Sequence, residues 1–108
     1  WGDGNQTRSY CYIDDCVEGI YKLMMSDIRK PLNIGSNRLV SINDLIDIVS
    51  NAAHKKVKRK YDVSKPQGVR GRNSDNTLIN KLLNWEPSTP LEVGLEHTYL
   101  WIKSQIHK

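Results

Sequence analysis

Two arginines separated by one glycine, Arg70 and Arg72, stand in the run Gly68-Val69-Arg70-Gly71-Arg72-Asn73-Ser74-Asp75. A guanidinium presents a planar fork of N–H donors that matches two phosphate oxygens at once. Glycine beside it lets the main chain approach a ligand with no side chain in the way. Near the other end of the chain, Arg8 lies in Gly2-Asp3-Gly4-Asn5-Gln6-Thr7-Arg8-Ser9. Arginines delivered from two distant loops would clamp a diphosphate from both sides, with Gln6, Thr7 and Asn73 adding neutral hydrogen bonds. The competing reading of the same residues is a basic surface loop that ends in a helix cap.

Other chemical patterns are thinner. Tyr61 and Lys65 have a spacing that on a helix lets a lysine lower the pKa of a phenol, but Pro66 disfavours helical backbone at Lys65. Gly2 and Gly4 lack the third glycine of a dinucleotide fingerprint, and no strand precedes them. His54, His97 and His107 are too scattered for a ligand set or a triad, and His97 falls in a helix where packing suffices. Cys11 and Cys16 have no further Cys or nearby His to complete a metal set. They read as small buried hydrophobes of a reducing compartment, and a cytoplasmic location is expected. Asp14 and Asp15 are neighbours that point in different directions on a helix, so they read as helix-opening acids.

The elements that must position the arginines alternate between helix and strand, giving an α/β fold in a single unit over residues 1–108. A short strand is expected over residues 9–13, then a helix opened by Asp14 or Asp15. Cys16, Val17, Ile20, Tyr21 and Met24 recur along it at helical spacing, which predicts one buried face, and it ends before Pro31. Residues 31–34 read as extended, closed by Gly35-Ser36-Asn37, and Leu39 and Val40 as a further short piece. Ser41 with Asp44 three residues on reads as a helix N-terminus, followed on one face by Ile42, Leu45, Ile46, Val49, Ala52 and Ala53. Residues 57–61 are basic and β-prone. A short helix then begins at Asp75 and clusters Leu78, Ile79, Leu82 and Leu83. Thr89 is the expected cap of a last helix with Pro90 at its first position and a stripe of Leu91, Leu95, Thr98, Ile102 and Ile106, joined by Trp101.

Composition narrows the classes. The 108 residues hold one modest core, with 38% apolar residues and no Phe, leaner than the average of about 45–50% with glycine counted. Part of the apolar surface is then either meant for a neighbour or reflects a small core. The formal charge of +4 owes much to Lys55, Lys56, Lys58, Arg59 and Lys60. A solvated edge strand carries lysines to discourage pairing, and no nucleic-acid motif of defined spacing accompanies the charge, so no nucleic-acid partner is expected. No apolar run is long enough to span a bilayer, so no membrane partner is expected. A chain that opens on Trp1 rather than Met is expected of a piece of a longer protein.

The motifs carry a resemblance. Trp1-Gly2-Asp3-Gly4-Asn5-Gln6-Thr7-Arg8-Ser9 and Tyr12-Ile13-Asp14-Asp15-Cys16-Val17-Glu18-Gly19 resemble the start of the C-terminal half of extended short-chain dehydrogenase/reductases that act on nucleotide sugars, the NAD-dependent epimerase/dehydratase family. Pro31-Leu32-Asn33-Ile34-Gly35-Ser36 looks like that family's short strand and glycine turn. Gly68-Val69-Arg70-Gly71-Arg72-Asn73-Ser74-Asp75-Asn76, with Leu83-Asn84-Trp85-Glu86-Pro87 and Thr98-Tyr99-Leu100-Trp101-Ile102-Lys103, is most similar to the family's GDP-mannose epimerases. The resemblance covers nearly the whole chain and is weakest over residues 51–65. It implies a small C-terminal substrate-binding lobe of helices and a few short strands, packed on a Rossmann domain that holds NAD and lies outside these residues. It implies that Arg8 and Arg72 face the substrate diphosphate, with Gln6, Thr7, Arg70 and Asn73 as further contacts and Asp75 fixing the loop. It places the cofactor loop and every catalytic residue upstream, so this chain alone is expected to bind no NAD and to turn nothing over, and it implies a homodimeric parent. A related dehydratase or decarboxylase would use the same arginines. A free-standing basic module for nucleic acid or another anion is the alternative of a different class, and its binding would weaken steeply with salt.

Overall fold

A two-residue strand, β1 (Thr7–Arg8), carries different partners on its two edges. The computed structural model describes residues 1–107. On one edge β1 pairs antiparallel with β2 (Val40–Ser41), Thr7 opposite Ser41 and Arg8 opposite Val40. On the other edge Thr7 forms an isolated parallel bridge with Gly71, and Thr7 N–H donates to the Arg70 carbonyl at 2.9 Å. Four helices accompany this ribbon, α1 (Ile13–Met24), α2 (Ile42–Ala53), α3 (Thr77–Leu83) and α4 (Leu91–Ile106), and α2 is the one that packs on β2. None is long and apolar enough to cross a membrane among the described residues.

Local chemistry accounts for the clearest boundary. Ser41 stays extended and its Oγ accepts the Asp44 N–H at 3.0 Å, which satisfies one of the amides that a helix start leaves unpaired. The chain therefore passes from β2 into α2 without a loop, and α2 packs against α4. Little apolar surface is fully enclosed: Val40 and Ile79 are the buried hydrophobic side chains among the described residues.

Several expectations are corrected. Residues 9–13 form no strand, because the pairing partners β2 and Gly71 reach Thr7 and Arg8 instead. Residues 31–34 and 57–61 also lie outside any strand; in the second region the one ladder contact is the Gly2–Asp62 bridge just beyond it. Thr89 does not cap α4. Pro90 takes the N-cap position, while the Thr89 N–H and hydroxyl donate to the two carboxylate oxygens of Asp15, each at 2.9 Å. The helical stripe on α1 faces outward, with Val17, Ile20, Tyr21 and Met24 all more than half exposed, while Asp15 and Gly19 face in. Cys16 is only half-buried, as is Cys11. Trp101 and Ile106 on α4 are exposed as well.

The shape is a slab of 49 × 37 × 19 Å with a radius of gyration of 16.3 Å. A self-contained domain of about 100 residues has a radius near 13 Å. The chain is spread over one layer rather than folded round a centre.

Candidate anion-binding site

The seam between β1 and residues 70–72 unites segments 63 residues apart in sequence. Thr7 and Gly71 are bridge partners, so Arg8 and Arg72 each sit one residue beyond the same bridge on parallel stretches of chain. Gly71 is what lets the stretches meet, since a Cβ there would stand 2.7 Å from the Thr7 Oγ1. Arg8 is partly buried and its guanidinium is held by main chain: Nη1 donates to the Thr7 carbonyl at 2.7 Å and Nη2 to the Gln67 carbonyl at 3.2 Å. Gly68, at φ 72°, occupies backbone space that glycine enters readily. A Cβ on it would lie 3.1 Å from the same Nη2. Other N–H groups of the Arg8 fork are left for a ligand.

The remaining sequence candidates occupy distinct positions around the seam. Arg72 is exposed and has no hydrogen-bond or ion-pair partner among the described residues. Arg70, its twin in sequence, is already engaged: Nη1 and Nη2 donate to the two carboxylate oxygens of Asp3 at 3.1 and 3.3 Å. That guanidinium, with the Asn5 N–H, holds the Asp3 carboxyl below the usual carboxylate range. Gln6 is buried, its Nε2 donating to the Trp1 carbonyl at 2.8 Å, while its Oε1 has no hydrogen-bond partner. The hydroxyl of Thr7 donates to the Arg70 carbonyl at 3.4 Å. Asn73 Nδ2 donates to the Asn37 carbonyl at 2.9 Å, which ties the end of the arginine loop to the chain before β2. Asp75 accepts from the Thr77 N–H and hydroxyl and so opens α3, and these bonds lower its pKa.

Residues that the sequence reading passed over complete the seam. Asp3 sorts the two loop arginines into one neutralised and one available, and Gln67 positions Arg8 through its carbonyl. The signal for Gln67 was its place between Pro66 and Gly68, which marks a turn but not what the turn holds. Arg38 makes a two-point contact to Glu92 at 2.8 and 2.7 Å. It holds the Glu92 carboxyl down at about 2.

The two N-terminal glycines do not cradle a dinucleotide. A Cβ on Gly2 would meet the Gln67 side chain at 2.8 Å, and one on Gly4 would meet the Asn43 side chain at 2.4 Å. Their open space is filled by protein, and no helix starts behind them to face a pyrophosphate. Among the described residues no group of three or more His, Cys, Asp or Glu could hold a metal ion.

Comparison with known proteins agrees with this architecture. Residues 1–98 match the model of the family described as GDP-mannose 4,6 dehydratase. The chain is 51% identical over its full length to GDP-mannose 3,5-epimerase of Arabidopsis thaliana, of which it spans 28%. Among solved structures, 98% of the chain superposes on UDP-glucose 4-epimerase of Thermotoga maritima with a TM-score of 0.91 at 28% identity, covering 34% of that enzyme. UDP-glucuronic acid 4-epimerase of Bacillus cereus, solved with UDP-glucuronic acid and NAD, gives a TM-score of 0.88 at 31% identity over 97% of this chain and 34% of that one. The chain thus has the fold of one part of an extended short-chain dehydrogenase/reductase and spans about a third of the enzymes it matches or less.

Proposed function

The chain belongs to the GDP-mannose 4,6 dehydratase family, and on that premise we propose that it is the substrate-binding lobe of an NAD-dependent nucleotide-sugar epimerase of the GDP-mannose 3,5 type. Arg8 and Arg72 grip the substrate diphosphate. Gln6, Thr7 and Asn73 supply neutral hydrogen bonds, and Arg70 braces the loop through Asp3. The observation that carries the reading is the Thr7–Gly71 bridge, which sets the two arginine segments side by side. The unpartnered Gln6 Oε1 supports it, since a buried acceptor without a donor is costly unless a ligand or water completes it. The 51% identity to the Arabidopsis enzyme supports the choice of sugar nucleotide.

We assign the redox chemistry to the part of the enzyme outside these residues, since Gly2 and Gly4 lack the third glycine of a dinucleotide fingerprint. What this chain contributes is binding and orientation, which lower a barrier by holding the substrate where it must react. The parent is a homodimer in the cytoplasm, with nucleic acid and membranes not among its partners. The reading is tested in a graft, the Arabidopsis epimerase with its matching segment replaced by this chain. Each charge-assisted hydrogen bond contributes about 1.5–3 kcal/mol, so Arg72→Ala should weaken GDP-mannose binding roughly tenfold to a hundredfold by calorimetry. Unchanged affinity would remove Arg72 from the site.

A further inference from the structure

Three arginines flank the Thr7–Gly71 bridge, and one carboxylate decides how many of them are open to a ligand. Nη1 and Nη2 of Arg70 donate to Oδ1 and Oδ2 of Asp3 at 3.1 and 3.3 Å, a two-point contact that takes up the end of the fork. Nothing buries the pair, whose side chains are 63% and 43% exposed. A guanidinium so open, directly before Gly71 as Arg72 is directly after it, lacks nothing of a phosphate ligand except a vacant fork.

The fold fixes that carboxylate where it is. Gly2 N–H donates to the Asp62 carbonyl at 2.8 Å and the Gly4 carbonyl accepts the Asn43 N–H at 2.9 Å, so the main chain is pinned on both sides of Asp3. The Asn5 N–H donates to Oδ1 at 2.9 Å and sets the rotation of the side chain. Arg70 and the Asn5 N–H hold the carboxyl below its ordinary range, so it is ionised at neutral pH. The acid at the far end of the arginine loop, Asp75, is taken up by the Thr77 N–H and hydroxyl and pairs with no arginine among the described residues. Arg8, held by main-chain carbonyls alone, and Arg72 are therefore the two guanidinium charges of the seam that no carboxylate balances.

Two such charges match one class of ligand and not its neighbour. A pyrophosphate esterified at both ends, as in a nucleotide sugar, has one ionisable proton on each phosphorus, and both are lost at neutral pH. A free nucleoside diphosphate ends in a phosphate whose second ionisation lies at about pH 6, so it brings roughly one further negative charge. A third open guanidinium would attract the second ligand more than the first, since the attraction grows with either charge. A neutral sugar gains nothing from it.

We propose that Asp3 is a specificity-determining residue: by closing the Arg70 fork it holds the site at two open guanidiniums, and so favours the doubly esterified diphosphate of a nucleotide sugar over a free nucleoside diphosphate. This rests on the diphosphate grip assigned above to Arg8 and Arg72. It goes further in stating which diphosphate is kept, and it gives Asp3 a part in selection that acts through Arg70.

Calorimetry on the graft described above, at low ionic strength and without divalent cations, yields the ratio of the dissociation constants of GDP and GDP-mannose. Asp3→Asn keeps an acceptor for the Asn5 N–H and frees Arg70. GDP should then tighten about twofold to fivefold more than GDP-mannose, the scale of one exposed ion pair. Arg70→Gln leaves Asp3 uncompensated and should weaken both ligands, GDP the more. The double variant has no charge at either position, and its ratio should return to that of the parent graft. Added salt should shrink both single-variant shifts. Affinities for the two ligands that change in parallel, as loss of a loop brace alone would give, would overturn the proposal, and so would a double variant whose ratio stays displaced. Arg72→Ala separates this result from the reading beneath it. Normal binding of both ligands by that variant refutes the diphosphate grip, whereas weakened binding of both, with an unmoved ratio in Asp3→Asn, refutes selection by Asp3 and leaves the grip standing.

Discussion

Gly68→Ala couples the backbone to the site in one substitution. The residue has φ 72°, and placing alanine in left-handed backbone costs about 1–2 kcal/mol. The methyl also stiffens the unfolded chain, which returns about 0.4–1 kcal/mol. The net loss of stability should therefore be about 1 kcal/mol, read as a shift of the urea midpoint at unchanged slope in the graft. The effect on binding has a different origin. The new Cβ would stand 3.1 Å from Arg8 Nη2, which already reaches 3.2 Å to the Gln67 carbonyl. Displacing the guanidinium by a few tenths of an ångström breaks that bond and tilts the fork, so GDP-mannose affinity should fall about threefold to tenfold, part of the value of a charge-assisted bond. Gly68→Asn separates the two effects: asparagine tolerates left-handed backbone but carries the same Cβ. It should keep most of the stability and still lose affinity. If Gly68→Ala costs stability while both variants bind normally, Gly68 does not position Arg8 for the ligand. If neither changes anything, the geometry of the seam has been misjudged.

Two further outcomes concern what holds the lobe together. Asp15 is buried and accepts two hydrogen bonds from Thr89; with bonds to a charged group contributing about 1.5–3 kcal/mol each and not adding fully, Asp15→Ala should cost about 2–4 kcal/mol in urea unfolding. A loss below the value of one such bond would mean that Thr89 finds another partner. Glu92 titrates at about 2 in the fold, against 4.5 for a free glutamate. A depressed carboxyl pKa stabilises the fold above the unfolded value and stops doing so as pH falls toward the folded one. Stability should therefore decline between about pH 4.5 and 2, by a small amount because the pair is exposed, and Arg38→Ala should flatten that part of the profile. An identical acid limb in the variant would show that the pair does not link stability to pH.

What was legible in the sequence was local. Ser41 and Asp44 announce a helix start because cap and amide are three residues apart, and the structure places the cap bond there. The stripe on α1 was visible as a stripe, but periodicity tells only that a face is apolar, not which body covers it. Thr89 before Pro90 has the look of a cap, yet its hydroxyl is taken by Asp15, 74 residues away. Strands were misplaced for the same reason: β1 is extended where β2 and Gly71 reach it, and its own residues do not specify those partners. Arg70 and Arg72 are indistinguishable in a motif, and it takes Asp3, 67 residues distant, to tell them apart.

The seam is built by main-chain hydrogen bonds rather than by a packed core. Thr7 N–H to the Arg70 carbonyl, Ile42 N–H to the Gln6 carbonyl, Asn43 N–H to the Gly4 carbonyl and Gly2 N–H to the Asp62 carbonyl span 2.8 to 3.1 Å and set its frame. Few apolar contacts back such a frame, so it yields more readily than a core strand would. Two positive groups flank it, Arg8 and Arg72, with Arg70 balanced by Asp3. Like charges near one another oppose the closing of the seam in the free lobe, and a bound diphosphate reverses the sign of that term. Substrate should therefore tighten the very contacts that position the arginines, and slower amide exchange at Thr7 in the graft with GDP-mannose is the direct consequence.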